Sequence, residues 1–185
     1  MNNQLTDVPN ILLMGPGPSC VSNSVYQALA KSTLGHLDPV FITIMDDIKE
    51  FLKQLMGTGN ALTVPVSGTG SAGMETCFVN LVEPGDKVLV LINGVFGTRM
   101  EDVANRLGAE VDSLNFEWGT VVKVESVCDK LSKMQYDLVA VVHAETSTGV
   151  CNPIKEISTF VQKNGALYLV DAVTSLGGMK VEMDK

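Results

Sequence analysis

Asp171 closes the apolar run Ala166-Leu167-Tyr168-Leu169-Val170, and small, loop-forming residues follow it: Ala172-Val173-Thr174-Ser175-Leu176-Gly177-Gly178. The run is apolar enough to be a strand buried on both faces. A carboxylate at its carboxyl end stands where open α/β sheets place their ligands. Burying that group is costly unless a cation or strong donors meet it, and no Lys or Arg lies within three residues on either side. The partner is therefore distant in sequence or belongs to a ligand, and a protonated heterocycle nitrogen would suit. An Asp that merely caps the following turn is the alternative.

Other loops carry complementary chemistry. In Ser67-Gly68-Thr69-Gly70-Ser71, glycines allow close backbone approach to an anion, hydroxyls add donors, and a following helix would supply free N–H groups and a favourable dipole. A phosphate fits there; an ordinary glycine-rich turn with Ser71 as N-cap is the alternative. Phe96 could lie flat on a planar ring or anchor a helix start. Thr146, Ser147 and Thr148 could donate to a phenolate oxygen or cap a turn. Together these groups are what a phosphorylated pyridine ring needs. Gly68, Gly70 and Gly73 also match the dinucleotide fingerprint. That fold, however, puts an acid at the end of its second strand, where this chain has Asn93-Gly94.

The elements that must position these loops alternate between helix and strand. The spacing of Ile48, Phe51, Leu52, Leu55 and Met56 predicts a helix from Asp47 to Met56. Further helices are expected from Ser71 to Leu81, Thr98 to Leu107, Val124 to Met134 and Pro153 to Lys163. Strands are expected at Ala61 to Val66, Lys87 to Ile92, Glu110 to Leu114, Asp137 to Val142 and Ala166 to Val170, with a polar loop from His143 to Asn152. Repeated βα units with near-continuous apolar strands predict an α/β fold, a mostly parallel sheet with helices on both faces. The carboxyl ends of the strands closing near Val66, Ile92, Val142 and Val170 should then share one edge, bringing the loops together.

The bulk properties fit. A chain of 185 residues can bury a sizeable core, and 45% apolar with 18% charged residues describes a compact fold. The formal charge of −8 argues against nucleic-acid or anionic-membrane partners. No apolar run is long enough for a membrane span. The four cysteines are dispersed and read as reduced thiols, mostly small core residues, of an intracellular protein. The two histidines have no ligand neighbours at motif spacing, so no metal site is expected.

Gly15-Pro16-Gly17-Pro18, Gly35-His36-Leu37-Asp38-Pro39, Ser67-Gly68-Thr69-Gly70, Asn93-Gly94-Val95-Phe96-Gly97, Glu145-Thr146-Ser147-Thr148-Gly149-Val150 and Val170-Asp171-Ala172-Val173-Thr174-Ser175-Leu176-Gly177-Gly178 occur in this order. In that order they resemble the class V pyridoxal-phosphate aminotransferases, most of all the alanine–glyoxylate and serine–pyruvate branch. The resemblance implies the large domain of a fold-type I enzyme, a pyridoxal 5'-phosphate cofactor and a homodimer. It implies an amino group moved from alanine or serine to glyoxylate or pyruvate through a Schiff base. Residues 1–40 would form an N-terminal arm with substrate-side loops, and residues 41–185 the first part of the cofactor domain. Thr69, Gly70 and Ser71 would hold the cofactor phosphate, Phe96 would stack on the ring, and Val173 would pack on its other face. Thr146 would donate to the phenolic oxygen, and Asp171 would pair with the ring nitrogen. Gly15, Pro16 and Gly17 would line the substrate end, while His36 and Asp38 receive no role.

One departure is large. The family's Schiff-base lysine lies one strand beyond the Asp171 loop, and neither Lys180 nor Lys185 has its context. The chain therefore looks like the N-terminal part of such an enzyme, inactive alone. The rivals are another fold-type I enzyme, a desulfurase or lyase, and a non-catalytic binding domain. The expected location is intracellular, in the cytoplasm or an organelle such as the peroxisome.

Overall fold

The computed structural model describes residues 8–184, and the chain divides into two compact units, Met1–Thr43 and Ile44–Lys185. The first unit has an extended stretch, a short helix α1 (Asn23–Leu29) and the start of α2 (Pro39–Met56). Asp38 fixes that start: its Oδ1 accepts from the Val40 N–H at 2.8 Å, and Pro39 takes the first helical position. The helix therefore begins well before the expected Asp47. The Asp-Pro start signal and the apolar Val40, Phe41 and Ile42 extend it.

The second unit continues through α3 (Gly70–Leu81), β1 (Lys87–Ile92), α4 (Val95–Arg106), β2 (Glu110–Asn115), α5 (Val124–Lys133), β3 (Leu138–Val142), β4 (Ala144–Glu145), β5 (Val150–Cys151), α6 (Ile154–Asn164) and β6 (Leu167–Asp171). Four strands form a wholly parallel sheet in the order β2-β1-β3-β6. Its register sets Val88 beside Leu138 and Val142 beside Asp171.

Strand alternation builds a core on each face. Val88, Val90, Ile92, Leu138, Ala140 and Val142 meet Met74 and Phe78 of α3 and Met100 and Ala104 of α4. Leu89, Leu91, Val139 and Val141 meet Val127 and Leu131 of α5 and Ile157 and Val161 of α6. Because both faces are covered, β1 and β3 are apolar at nearly every position. Gly97 lets α4 pass close to the end of β1, since a Cβ there would stand 3.1 Å from Ile92 Cα.

Three further expectations need correction. Ala61 to Val66 is not a strand: Leu62, Val64 and Val66 are exposed, and no described strand lies beside them to complete a ladder. An extended apolar segment becomes a strand only with a partner. The polar loop from His143 to Asn152 contains the small antiparallel pair β4–β5. The cysteines are all free, but Cys20, Cys77 and Cys151 are exposed rather than in the core. Cys77 shows why, because α3 turns Met74 and Phe78 to the sheet and leaves Cys77 facing outward.

Candidate active site

From β1 the chain crosses to β2 on one side, and then to β3 on the other side of β1. The carboxyl ends of β1 and β3 therefore flank a switch point, where open α/β sheets have their ligand crevice. A buried amide pair holds this point together. Asn93 Nδ2 donates to Asn152 Oδ1 at 2.8 Å and to the Thr120 carbonyl at 2.9 Å, and Asn152 Nδ2 donates to the Val142 carbonyl at 2.8 Å. The sequence marks Asn93 as part of a loop motif but gives no sign of its pairing with Asn152, since Asn in a loop reads as a turn former.

A cavity of about 190 Å³ opens along this edge, lined by Thr69, Gly70, Ser71, Met74, Phe96, Val142, Thr146, Asp171 and Val173. Every residue expected at the cofactor is thus brought to one cleft. The segment before β1 reaches it through α3, although it forms no strand. Thr69 is the helix cap, its Oγ1 accepting from the Ala72 N–H at 3.2 Å, so the helix starts at Gly70 and Ser71 is not the cap. The Gly70 and Ser71 N–H groups belong to the first turn, which has no helical acceptors. A Cβ on Gly70 would stand 3.0 Å from Val173 Cγ2, so the glycine lets the two loops close on one another.

Phe96 is half-buried in the first turn of α4, with its ring packed against the core. Thr146 follows β4, and its hydroxyl is hydrogen-bonded to that of Thr174. Asp171 is half-buried, and its Oδ1 accepts from the Val173 N–H at 2.9 Å. The turn-capping alternative is therefore realised, but it engages one oxygen. No side-chain cation pairs with Asp171 among the described residues. Burial pushes its pKa up, the Val173 N–H opposes that shift, and the nearby Glu145 adds to it.

Glu145, the last residue of the two-residue strand β4, is wholly buried. Its Oε1 accepts from Ser147 Oγ at 2.7 Å and from the Ser147 N–H at 3.2 Å, while its Oε2 accepts from the Gly97 N–H at 3.3 Å. The signal for it is the same as for Asp171: an acid just past a buried apolar strand, here β3.

Lys180 does not line the cleft; it pairs with Glu182 at 2.8 Å beside a second cavity near α6. That cavity also touches His143, whose Nδ1 is buried without a hydrogen-bond partner and whose pKa burial lowers. Lys185 lies outside the described residues. Gly15, Pro16 and Gly17 lie exposed in the N-terminal unit, and their substrate-side assignment rests on the family pattern. Among the described residues no group of His, Cys, Asp and Glu side chains could hold a metal ion, and no helix is long and apolar enough to cross a membrane.

The chain is similar to known proteins. The chain is 39% identical to the (S)-ureidoglycine–glyoxylate transaminase of Bacillus subtilis, over 94% of its own length and 42% of the relative's. It is 38% identical to the alanine–glyoxylate aminotransferase of Mus musculus, over 96% and 43%. The crystal structure of an alanine–glyoxylate aminotransferase from Nostoc sp. superposes with a TM-score of 0.93 at 46% identity, covering 96% of this chain and 47% of that one. The chain thus spans less than half the length of the relatives it matches. Its structural neighbours are fold-type I aminotransferases. The model of the family described as aminotransferase class-V matches residues 22–185, and the chain belongs to that family.

Proposed function

We propose that the cleft holds pyridoxal 5'-phosphate, and that the intact protein moves an amino group from a small amino acid, alanine or serine, to a 2-oxo acid such as glyoxylate or pyruvate. One observation carries this reading: a helix start, an aromatic ring, a hydroxyl and a cation-free acid line a single cleft. When bound, the cofactor supplies a ring that withdraws electrons from the substrate's α-carbon. This chain's residues do the rest. Thr69, Gly70 and Ser71 meet the phosphate with N–H and hydroxyl donors at the positive end of α3. Phe96 and Val173 take the two ring faces, and Thr146 donates to the phenolic oxygen.

Asp171 holds a proton on the ring nitrogen. Its raised pKa without a ligand is what a carboxyl group awaiting a cation should show, because an opposite charge at contact favours the ionised form. The closely similar relatives named above use glyoxylate, which supports the choice of acceptor. A homodimer is part of the proposal. So is an intracellular location, in the cytoplasm or an organelle, which suits four free cysteines.

The test is titration of the full-length natural protein with pyridoxamine 5'-phosphate, followed by assay of alanine and serine against glyoxylate and pyruvate. Saturable binding with transfer to one of these acceptors is expected. Absence of binding would sink the proposal.

A further inference from the structure

We infer that Glu145 is a positioning residue of the cleft: it locks the amino-terminal turn of α4, and with it the Phe96 ring, to the loop that carries Thr146. This rests on the cofactor reading above. Glu145 has no exposure, and no cation pairs with it among the described residues. An apolar side chain would be cheaper to bury there. Its Oε2 bonds across to the first turn of α4, while its Oε1 holds Ser147 of its own loop, which makes a crossing of its own.

Two crossings frame the cleft, one made by Glu145 and one by Ser147. The Gly97 N–H donates to Glu145 Oε2 at 3.3 Å, and the Val95 N–H donates to Ser147 Oγ at 3.0 Å. Ser147 Oγ in turn donates to Glu145 Oε1 at 2.7 Å. Residues 95 and 97 flank Phe96, and residues 145 and 147 flank Thr146. The ring platform and the hydroxyl donor are each the middle residue of a segment pinned on both sides to the other.

The cap of α4 is supplied from outside the helix, because its N-cap residue, Gly94, has no side chain to give. An acidic group at a helix amino terminus also meets the positive end of the dipole. The phosphate end of the cleft, on α3, has its own cap in Thr69 and takes no part in this bridge. Glu145 should therefore govern how the ring is held rather than whether the phosphate binds.

The experiment titrates the full-length natural protein with pyridoxamine 5'-phosphate, which carries the phosphate but no aldehyde. It reads the dissociation constant and the induced circular dichroism of the bound ring. Glu145→Gln keeps the side-chain length but leaves a single acceptor oxygen, so an amide NH2 must face either the Gly97 N–H or the Ser147 N–H. The induced signal per bound ring is expected to fall by about half or more, while the dissociation constant changes by less than about threefold. Ser147→Ala removes the second crossing and should act in the same direction, and it decides the matter if Glu145→Gln does not fold. An unchanged induced signal per bound ring in the folded variants would overturn the inference, as would loss of affinity and thermal stability with that signal intact. Failure of the unsubstituted protein to bind would instead remove the cofactor reading, before any variant is compared.

Discussion

A Cβ on Gly94 would stand 2.4 Å from Glu145 Cγ and 2.6 Å from Ser147 Oγ. The amino end of α4 and the loop after β4 thus share a space that only glycine leaves open. The Gly94 φ of 178° is extended backbone that any residue adopts, so crowding, not torsion, demands the glycine. Gly94→Ala is expected to cost about 1–3 kcal/mol, the usual effect of overpacking. Gly73→Ala, with nothing within 4 Å of its Cβ, should gain up to about 1 kcal/mol from helix propensity. Denaturant unfolding of both variants checks the contrast, and equal effects would show that Glu145 and Ser147 move aside freely.

Asp171→Asn should separate stability from function. The folded-state pKa of Asp171 lies above its ordinary value of 3.8, so the native state holds that proton more tightly than the unfolded chain does. The resulting cost is absent below the ordinary value, grows as pH climbs through the raised one, and persists at neutrality. The ligand-free Asn variant should therefore be the more stable at pH 7, and the gap should close in acid. On the proposed cofactor assignment, the same variant in the loaded enzyme would lose the charge that keeps the ring nitrogen protonated. Losing roughly one pKa unit there would slow turnover about tenfold. Unfolding curves at the two pH values and single-turnover rates with alanine measure the two effects.

Asp112 carries the opposite sign. The Tyr136 hydroxyl and Lys130, at 2.5 and 2.9 Å, hold its carboxyl below the ordinary range. Its contribution is fully present above the ordinary carboxylate pKa and is lost as pH falls through the lowered one. Asp112→Asn should cost at most about 1 kcal/mol at pH 7, given the partial exposure of the pair. The cost should vanish near the acid limit of folding, as pH-dependent unfolding would show.

Lys180 should not substitute for a Schiff-base lysine. It is exposed, pairs with Glu182 and lies off the cleft. Borohydride reduction of the 185-residue chain with pyridoxal phosphate should leave no stoichiometric label at one site. Mass spectrometry that finds saturable labelling of Lys180 would contradict the geometry.

Most of the sheet was legible because buried parallel strands leave unbroken apolar runs: β1 spans the expected Lys87 to Ile92 without change. Asp171 was legible for the same reason, as an acid that directly ends such a run. What escaped depends on partners. Ala61 to Val66 has the composition of a strand, but composition does not supply a neighbour. Thr174 and the Asn93–Asn152 pair acquire their roles only when distant loops meet. Glu145 was visible as a letter, but its burial follows from the fold of the β4–β5 pair around it.

Among the described residues β6 is paired on one side only, with β3. In a parallel strand alternate peptide groups point each way, so the outer row of β6 is a template for any extended chain that reaches it. Leu62, Val64 and Val66 lie exposed elsewhere in the same unit, in a segment of strand-like composition. Two copies of this stretch could thus zip together before either found another neighbour. Made by itself, this polypeptide should associate more as its concentration rises and should be a substrate for holding chaperones. The fate of that edge is a race between closure within one molecule and encounter with a second.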